Sequence, residues 1–305
     1  MNPSINSLLV CSVCPRNCLV NREKELGYCQ KGNELEISWY GPHFGEEPVI
    51  SGSRGSGTIF FSGCNLSCVY CQNWQISQES IKTEIISVSG LTDIFLKLQN
   101  MGCHNINLVS PTIWPLQLIE VIKKAKKKGL KIPIIWNSNA YEKVSTLKKL
   151  QGLIDIFLPD YKYSDNNLGL KYSNAPDYSA IAQKAIEEMY KQVGDLKINK
   201  KGIAGKGIIV RHLLLPGSFD NSAGCLRFIR QISPNIHLSL MSQYNPVYKA
   251  LKICPLNREI KAEEYKEIKS LVNKLDFKYG WFQEYNSSKC FNPDFTKNQP
   301  FQTKT

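Results

Sequence analysis

The sequence TIFFSGCNLSCVYCQN, residues 58–73, joins an apolar run to a loop that contains three cysteines. The run TIFF is typical of a buried strand, and the glycine-rich stretch SGSRGSG at residues 51–57 marks where that strand begins. Cys64, Cys68 and Cys71 follow with the spacing C-x3-C-x2-C. The cysteine loop therefore leaves the carboxyl end of a predicted strand, which is the edge where the active sites of parallel β/α barrels lie.

Three thiolates at this spacing indicate a metal centre that keeps one position free. Four thiolates close the ligand shell of a zinc ion or a [4Fe–4S] cube, whereas three on a cube leave one iron open for a reactant. Gly63 permits an unusual turn at the start of the loop, and Tyr70 supplies an aromatic ring beside the last ligand. The alternatives are a zinc site with a remote fourth ligand and unliganded core cysteines.

The rest of the chain alternates apolar strands with amphipathic helices, as a parallel β/α fold does. Strands are predicted at residues 58–63, 105–110, 132–137, 153–160, 207–217 and 236–242, and helices at 89–102, 115–129, 178–193 and 263–275, among others. This pattern predicts an α/β fold, a partial (β/α)6 barrel over residues 51–285 that is open on one side. We expect residues 1–50 to form a cysteine-rich extension and residues 286–305 a loosely held tail.

Five segments that span most of the chain carry a resemblance to a known family: CSVCPRNC, EEPVISGSRGSGTIFFSGCNLSCVYCQN, NINLVSPT, LPDYKY and VRHLLLPG. In these the chain resembles the radical S-adenosylmethionine (SAM) superfamily, of the radical SAM barrel type, and within it the branch similar to pyruvate formate-lyase activating enzymes. The resemblance implies that Cys64, Cys68 and Cys71 hold a [4Fe–4S] cluster whose open iron binds the methionine part of SAM. One electron then cleaves SAM to a 5′-deoxyadenosyl radical that abstracts hydrogen from a substrate. The resemblance also implies that an electron donor of the flavodoxin or ferredoxin type is a partner.

The resemblance further implies which residues contact the cluster or SAM, and Tyr70 is one of them. Many members carry a Gly-Gly-Glu stretch after strand two, where this chain has Ser110, Pro111 and Thr112. The contact to the amino group must therefore come from backbone carbonyls, the Thr112 hydroxyl or another side chain. Arg211 is expected to contact the carboxylate or ribose of SAM, and Gln243 its adenine or ribose.

Two residues match places where activating enzymes hold a monovalent cation. Asn137 and Asp160 follow strands three and four, but Asn137 replaces an acidic residue, which lowers the charge available for a cation. The alternative is that Asp160 caps a turn or pairs with Lys162. His212 points away from Arg211 if their strand is regular, so we expect it to be structural.

The remaining cysteines divide into a second group and scattered residues. Cys11, Cys14, Cys18 and Cys29 have the spacing C-x2-C-x3-C-x10-C, and four thiols satisfy either tetrahedral zinc or a closed [4Fe–4S] cluster. We expect a metal there, which would staple a polar segment that builds little core of its own; loose cysteines on a loop are the alternative. The scattered cysteines are expected to be buried small apolar side chains: Cys103, Cys225, Cys254 and Cys290.

Composition and charge restrict the cellular location and the classes of binding partner that we expect. No apolar run reaches the roughly 18 to 20 residues that span a membrane. The start MNPSINSLLVC lacks the features of a secretory signal. A lipoprotein signal that ends at Cys11 is the weaker alternative. We therefore expect a cytoplasmic protein with reduced thiols. The net charge is +12, and its largest cluster, KKAKKKG at residues 123–129, is interpreted as a solvated helix face, with RNA contact as the alternative.

Three functions stay open at this point. The first is activation of a glycyl radical protein by hydrogen abstraction from one of its glycines. The second is radical modification of another peptide, an RNA or a small molecule. The third is a metal-containing RNA-binding protein without catalysis.

Overall fold

The computed structural model describes residues 10–81, 83–285, 287 and 292–301. Strands in these ranges are β1 (Glu36–His43), β2 (Ser56–Phe61), β3 (Glu84–Ile85), β4 (Ile106–Val109), β5 (Ile134–Ser138), β6 (Ile156–Pro159), β7 (Lys197–Ile198), β8 (Ala204–Leu213), β9 (His237–Met241) and β10 (Tyr279–Phe282). Helices are α1 (Pro48–Ser51), α2 (Trp74–Ser77), α3 (Val88–Asn100), α4 (Pro115–Lys127), α5 (Val144–Lys149), α6 (Asn166–Ser173), α7 (Tyr178–Val193), α8 (Phe219–Ile232) and α9 (Ala262–Leu275). Two 3₁₀ helices lie at Pro111–Ile113 and Tyr248–Lys252.

The strands form one sheet in the order β10-β9-β8-β6-β5-β4-β2-β1-β3, with β7 paired to β8. The six predicted strands are β2, β4, β5, β6, β8 and β9, which are neighbours and parallel. Every residue of β2, β4 and β5 is buried, as expected for parallel strands with both faces covered. No ladder joins the two end strands in the described part of the chain, so the predicted open, partial barrel is confirmed.

The sheet is longer at both edges than the sequence predicts. Strand β10 adds a seventh parallel strand, in which Tyr279 pairs with His237 of β9. Strand β1 pairs antiparallel with β2 although it lies in the predicted extension. Both missed strands are only partly buried, so neither shows the continuous apolar run by which the other six are recognised.

The helices cover the sheet with their apolar faces. On α4 the buried residues are Pro115, Leu118, Val121, Ile122 and Ala125, whereas the lysines at 123, 124 and 126–128 are exposed. Lys124 pairs with Glu120 at 3.0 Å and Lys128 with Asp93 at 3.0 Å. The basic cluster is therefore a solvated helix face, as predicted. No described helix combines the length and apolarity that crossing a bilayer requires.

The expectations for the tail and for Cys254 need correction, and the expectation for Cys290 lies outside the described residues. Phe295 is buried, with its ring 5.3 Å from that of Phe60, so the described part of the tail packs against β2 and is not loosely held. Cys103 and Cys225 are buried as expected, but Cys254 is exposed because it lies in a turn after the second 3₁₀ helix. Cys290 lies outside the described residues.

His212 of β8 is fully buried and confirms the expected structural role. Its Nδ1 donates to the carbonyl of Tyr161 at 2.7 Å, so in the neutral ring Nε2 accepts from the Ser222 hydroxyl at 2.9 Å. Burial lowers the pKa of His212 to about 4, although the bond to Tyr161 acts in the opposite direction. A histidine of this kind stays neutral in the folded chain while it protonates in the unfolded chain.

His212 should therefore make the free energy of unfolding depend on pH. The pKa is lower in the folded than in the unfolded state, so its contribution is fully present above pH 6.5 and is lost as the pH falls towards 4. Between pH 7.5 and pH 5 the wild type should lose about 2 kcal/mol more than His212→Gln, which cannot titrate. Anaerobic urea unfolding of both proteins at the two pH values measures this; equal losses would contradict the assignment of a neutral buried imidazole.

Candidate active site at the carboxyl ends of the strands

A cavity of about 960 Å³ lies at the carboxyl ends of the parallel strands. It brings together nearly all of the residues that the sequence predicts for cofactor binding: Cys64, Cys68, Cys71, Tyr70, Ser110, Asn137, Asp160, Arg211 and Gln243. Thr112 is the exception, because it is buried in the 3₁₀ helix that follows Ser110 and does not line the cavity. Its hydroxyl is therefore not placed to meet a ligand there.

The cysteine loop is closed at its base by backbone hydrogen bonds. Gly63, at the end of β2, has φ +80° and donates its N–H to the carbonyl of Ile76 at 3.0 Å. A Cβ at this position would lie 2.6 Å from Cγ of Lys31, so only glycine fits the turn. The far side of the loop rests on the end of α6, where Val69 N–H donates to the carbonyl of Tyr172 at 2.9 Å. The three cysteines lie between these fixed points.

Each thiol of the triad has a polar neighbour at hydrogen-bond distance. The Asn139 amide donates to Sγ of Cys64 at 3.3 Å. The hydroxyl of Ser173 donates to Sγ of Cys68 at 2.9 Å, and that of Ser77 lies 3.3 Å from Sγ of Cys71. Donors aimed at sulfur stabilise thiolates and tune the irons bound to them.

Burial by itself keeps these thiols protonated. It raises the pKa of Cys64 to about 12 and that of Cys71 to about 11. The nearby ammonium of Lys162 acts in the opposite direction on both. A bound cation or cluster is the remaining source of positive charge that would hold them as thiolates. The donor set thus fits a [4Fe–4S] cluster bound by Cys64, Cys68 and Cys71.

Asp160 and Lys162 form an ion pair beside the triad. Nζ of Lys162 lies 2.8 Å from Oδ2 of Asp160. Burial would lower the pKa of Lys162, but the charge and hydrogen bond of Asp160 raise it, as Cys68 and Cys71 do once they are thiolates, so the side chain stays an ammonium. The pairing considered as the alternative to a cation site is therefore present, and the carboxylate already has a positive partner.

Arg211 projects from β8 into the same cavity and is held by two carboxylates. Its Nε bonds Glu47 at 2.8 Å and its Nη2 bonds Glu47 at 2.6 Å and also Glu46. Burial would raise the pKa of Glu47, but Arg211 and the hydroxyl of Ser239 lower it below its usual range. The partner that a buried arginine needs thus comes from the chain itself. The contact expected from Arg211 to SAM would have to use the remaining face of the guanidinium.

The other predicted contacts are partly engaged within the protein. The hydroxyl of Tyr70 lies 2.6 Å from that of Tyr163, which lies 2.7 Å from that of Ser173, so Tyr70 belongs to the chain of hydroxyls that ends on Cys68. Oε1 of Gln243 accepts from Gln283 at 2.6 Å. Ser110 has φ +59° and donates its N–H to the carbonyl of Asn137 at 3.0 Å.

Several residues of the site were missed from the sequence. Glu46 and Glu47, which pair with Arg211, and Asn139, which bonds Cys64, are not among the predicted site residues. The available signal for the two acids was Arg211 itself, since a charged side chain within an apolar strand needs a buried partner. The segment 292–301 also lines the cavity, through residues that include Asp294, Pro300 and Phe301.

The first cysteine group lies apart from this cavity. Cys11, Cys14 and Cys29 are buried and Cys18 is partly exposed. The segment is held against the triad loop by Arg16, whose Nε donates to the carbonyl of Asn65 at 2.7 Å. In the described part of the chain, no three His, Cys, Asp or Glu side chains are close enough together to ligate a single ion.

The comparisons with known proteins agree with this site. The profile of the radical SAM superfamily matches residues 58–220, just over half of the chain. The chain therefore belongs to the radical SAM superfamily, whose members use a [4Fe–4S] cluster and SAM. Two relatives from Methanocaldococcus jannaschii are uncharacterized proteins: MJ0674 is 32% identical over 87% of this chain and 75% of its own, and MJ0808 is 22% identical over 80% and 73%.

The fold is also similar to a solved structure of the superfamily. The FeFe-hydrogenase maturase HydG from Carboxydothermus hydrogenoformans superposes with a TM-score of 0.52 at 13% identity. The match covers 72% of this chain and 50% of that one, so the chain corresponds to about half of HydG. At this identity the likeness is one of fold alone.

Lys162 should set the reduction potential of the cluster at the triad. Replacing it with Met removes a positive charge beside Cys68 and Cys71, and the reduced cluster, which carries one more negative charge, loses stabilisation. We expect Lys162→Met to lower the midpoint potential and Lys162→Arg to retain it. Redox titration followed by electron paramagnetic resonance (EPR) measures both. Equal potentials in all three proteins would show that the ammonium does not act on the cluster.

Proposed function

We propose that this protein is a radical SAM enzyme whose substrate enters the open side of the barrel. Cys64, Cys68 and Cys71 would hold the cluster, and SAM would lie in the adjoining cavity. Once bound, the reduced cluster and SAM together supply a 5′-deoxyadenosyl radical, the species that takes hydrogen from the substrate. The chain itself would bind and orient the cofactor and the substrate and would exclude competing reactants.

The observation that carries the proposal is that three thiols, and no fourth among the described residues, line the cavity. Among the described residues that line it, Cys64, Cys68 and Cys71 are the cysteines present. A cube bound by these three would keep one iron without a protein ligand. Polar groups of Ser110, Asn137 and Asp160 end neighbouring strands at the same cavity. These are the groups with which a methionine amine and carboxylate could be bound.

The size and lining of the cavity favour a substrate in addition to SAM. Its volume of about 960 Å³ is at the upper end of the ~300–1,000 Å³ typical of small-molecule sites. The wall formed by β1, β2 and the tail is aromatic, with Trp39, Phe60 and Phe301 in contact with one another. Phe44 also lines it and is 62% exposed. An extended peptide segment with a small residue at its tip would suit an opening of this kind.

We favour a glycine of a glycyl radical protein as that residue. Support comes from the sequence segments shared with the activating-enzyme branch and from the open edge of the sheet. Another peptide, an RNA or a small molecule is the second candidate class. Described residues of both charges line the cavity, with Lys162, Arg211 and Lys297 beside Glu46, Glu47, Asp160 and Asp294, so its charge does not favour RNA among them. An electron donor of the flavodoxin or ferredoxin type would serve every one of these reactions.

Turnover of SAM should depend on the triad. Anaerobically reconstituted and reduced wild-type protein is expected to convert SAM to 5′-deoxyadenosine and methionine, and Cys68→Ala should lose this activity by more than about a hundredfold because the cube loses a ligand. Cys103→Ala, which alters a buried cysteine far from the cavity lining, is the matched control and should retain it. Quantifying 5′-deoxyadenosine by chromatography measures the outcome. A wild type that binds a cluster but never cleaves SAM would favour a non-catalytic protein.

The substrate class needs a second experiment. Reduced protein and SAM are incubated with a glycyl radical enzyme encoded beside its gene, and EPR detects a glycyl radical. With that glycine deuterated, label should appear in 5′-deoxyadenosine. Cleavage of SAM without radical or label transfer would exclude activation of that partner, while leaving the radical SAM chemistry in place.

A further inference from the structure

The four cysteines of the N-terminal segment, Cys11, Cys14, Cys18 and Cys29, form a compact group that the radical chemistry does not use. We call it the quartet. A Cβ on Gly27 would lie 3.4 Å from Sγ of Cys29 and 3.6 Å from Sγ of Cys18, so these two thiols flank one small space. The turns that bring the four together use left-handed backbone at Asn17, Leu19 and Gln30. Strained turns around clustered thiols point to a site and not to loose cysteines.

The backbone is arranged to stabilise thiolates in the quartet. The N–H of Tyr28 donates to Sγ of Cys18 at 3.2 Å. Backbone N–H groups two residues further along, at Arg16 and Lys31, likewise hydrogen-bond to the sulfurs of Cys14 and Cys29. Three of the four sulfurs thus receive a peptide N–H, an arrangement that supports sulfur ligands of a metal.

A buried arginine beside the quartet lacks an anionic partner among the described residues. Arg22 is 7% exposed, its guanidinium carbon lies 4.7 Å from the centre of the Trp114 ring, and Nη1 donates to the carbonyl of Ile113 at 2.7 Å. Its Nε and Nη2 are buried without a hydrogen-bond partner in the described structure. Its charge acts on Cys29. Burying an unpaired cation is costly, so a negatively charged group in the quartet would account for this placement.

A cube and a single zinc ion would require different spacings of the four thiols. Zinc holds four sulfurs at about 2.3 Å, which draws the ligands close together. A cube binds each sulfur through a different iron, so its ligands lie further apart. No three potential ligands in the described residues converge on one ion, and this holds for the quartet as it does for the triad, whose cofactor in the superfamily is a cube.

From these observations we propose that the quartet binds a second, fully ligated [4Fe–4S] cluster, with Arg22 as the positive charge that balances it. Such a cluster has no open iron and does not bind SAM. It lies close to the triad loop, because Tyr28 next to Cys29 and Ser67 next to Cys68 share a hydroxyl hydrogen bond of 2.7 Å. The proposal does not rest on the proposed function, since it concerns other ligands.

The test compares two variants of the full-length protein after anaerobic reconstitution. One lacks the triad (Cys64→Ala, Cys68→Ala and Cys71→Ala), and the other lacks the quartet (Cys11→Ala, Cys14→Ala, Cys18→Ala and Cys29→Ala). Iron, sulfide and zinc are counted per chain. Wild type should hold about eight irons and each variant about four. A double variant of two buried cysteines outside both sites, Cys103→Ala and Cys225→Ala, should keep about eight.

EPR of the reduced proteins gives an independent readout. Added SAM should change the spectrum of the quartet variant, where the open-iron cluster remains, and leave that of the triad variant unchanged. In the triad variant, Arg22→Met should lower the midpoint potential of the remaining cluster because a positive charge is lost, whereas Arg22→Lys should retain most of it.

Zinc in place of iron in the triad variant would overturn the proposal, and so would the absence of any metal there. If the quartet variant fails to fold, the triad variant alone decides the question. A wild type with about four irons, lost in the triad variant, would contradict the second cluster while supporting the first, so the two proposals fail separately.

Discussion

The closure of the cysteine loop by Gly63 and Ile76 is the constraint on which the site depends. Strand β2 ends in a left-handed turn that only glycine fits, and the hydrogen bond from Gly63 to Ile76 fixes the two ends of the loop. Between them the loop leans on the end of α6, so that Ser173 reaches Cys68. Because every residue of β2 is buried and the strand is paired on both sides, parallel to β4 and antiparallel to β1, this loop starts from a rigid part of the core.

Charge at the carboxyl edge of the sheet is compensated almost residue by residue. Arg211 is paired with Glu46 and Glu47, and Lys162 with Asp160. The positive charge of Lys162 acts to lower the pKa of Cys68 in the triad, and the positive charge of Arg22 acts to lower the pKa of Cys29 in the quartet. Clusters with thiolate ligands carry negative charge, so a basic group beside a bound cluster would stabilise its reduced state in a site shielded from water. Each of the two groups of cysteines has such a basic side chain beside it, although they belong to different parts of the chain.

Much of the fold could be read from local pattern. The six predicted strands are central and parallel, and each is recognisable because burial on both faces demands an uninterrupted apolar run. Helix α7 has the bounds that its periodicity predicts, residues 178–193. Strand β10 was missed, because YGWF is only partly buried and becomes a strand through its pairing with β9. The tail was missed for a similar reason, since Phe295 is buried only by a contact with Phe60 from far away in the chain.

The sequence alone determined which cysteines are the candidate ligands, because Cys64, Cys68 and Cys71 lie within one short loop whose spacing is itself the signal. Only the tertiary structure decided which groups surround them. Glu47 is 164 residues from Arg211, Ser173 is 105 residues from Cys68, and Thr112 does not line the cavity. Contacts over such separations follow from the packing of the whole barrel, and no local pattern of residues encodes them.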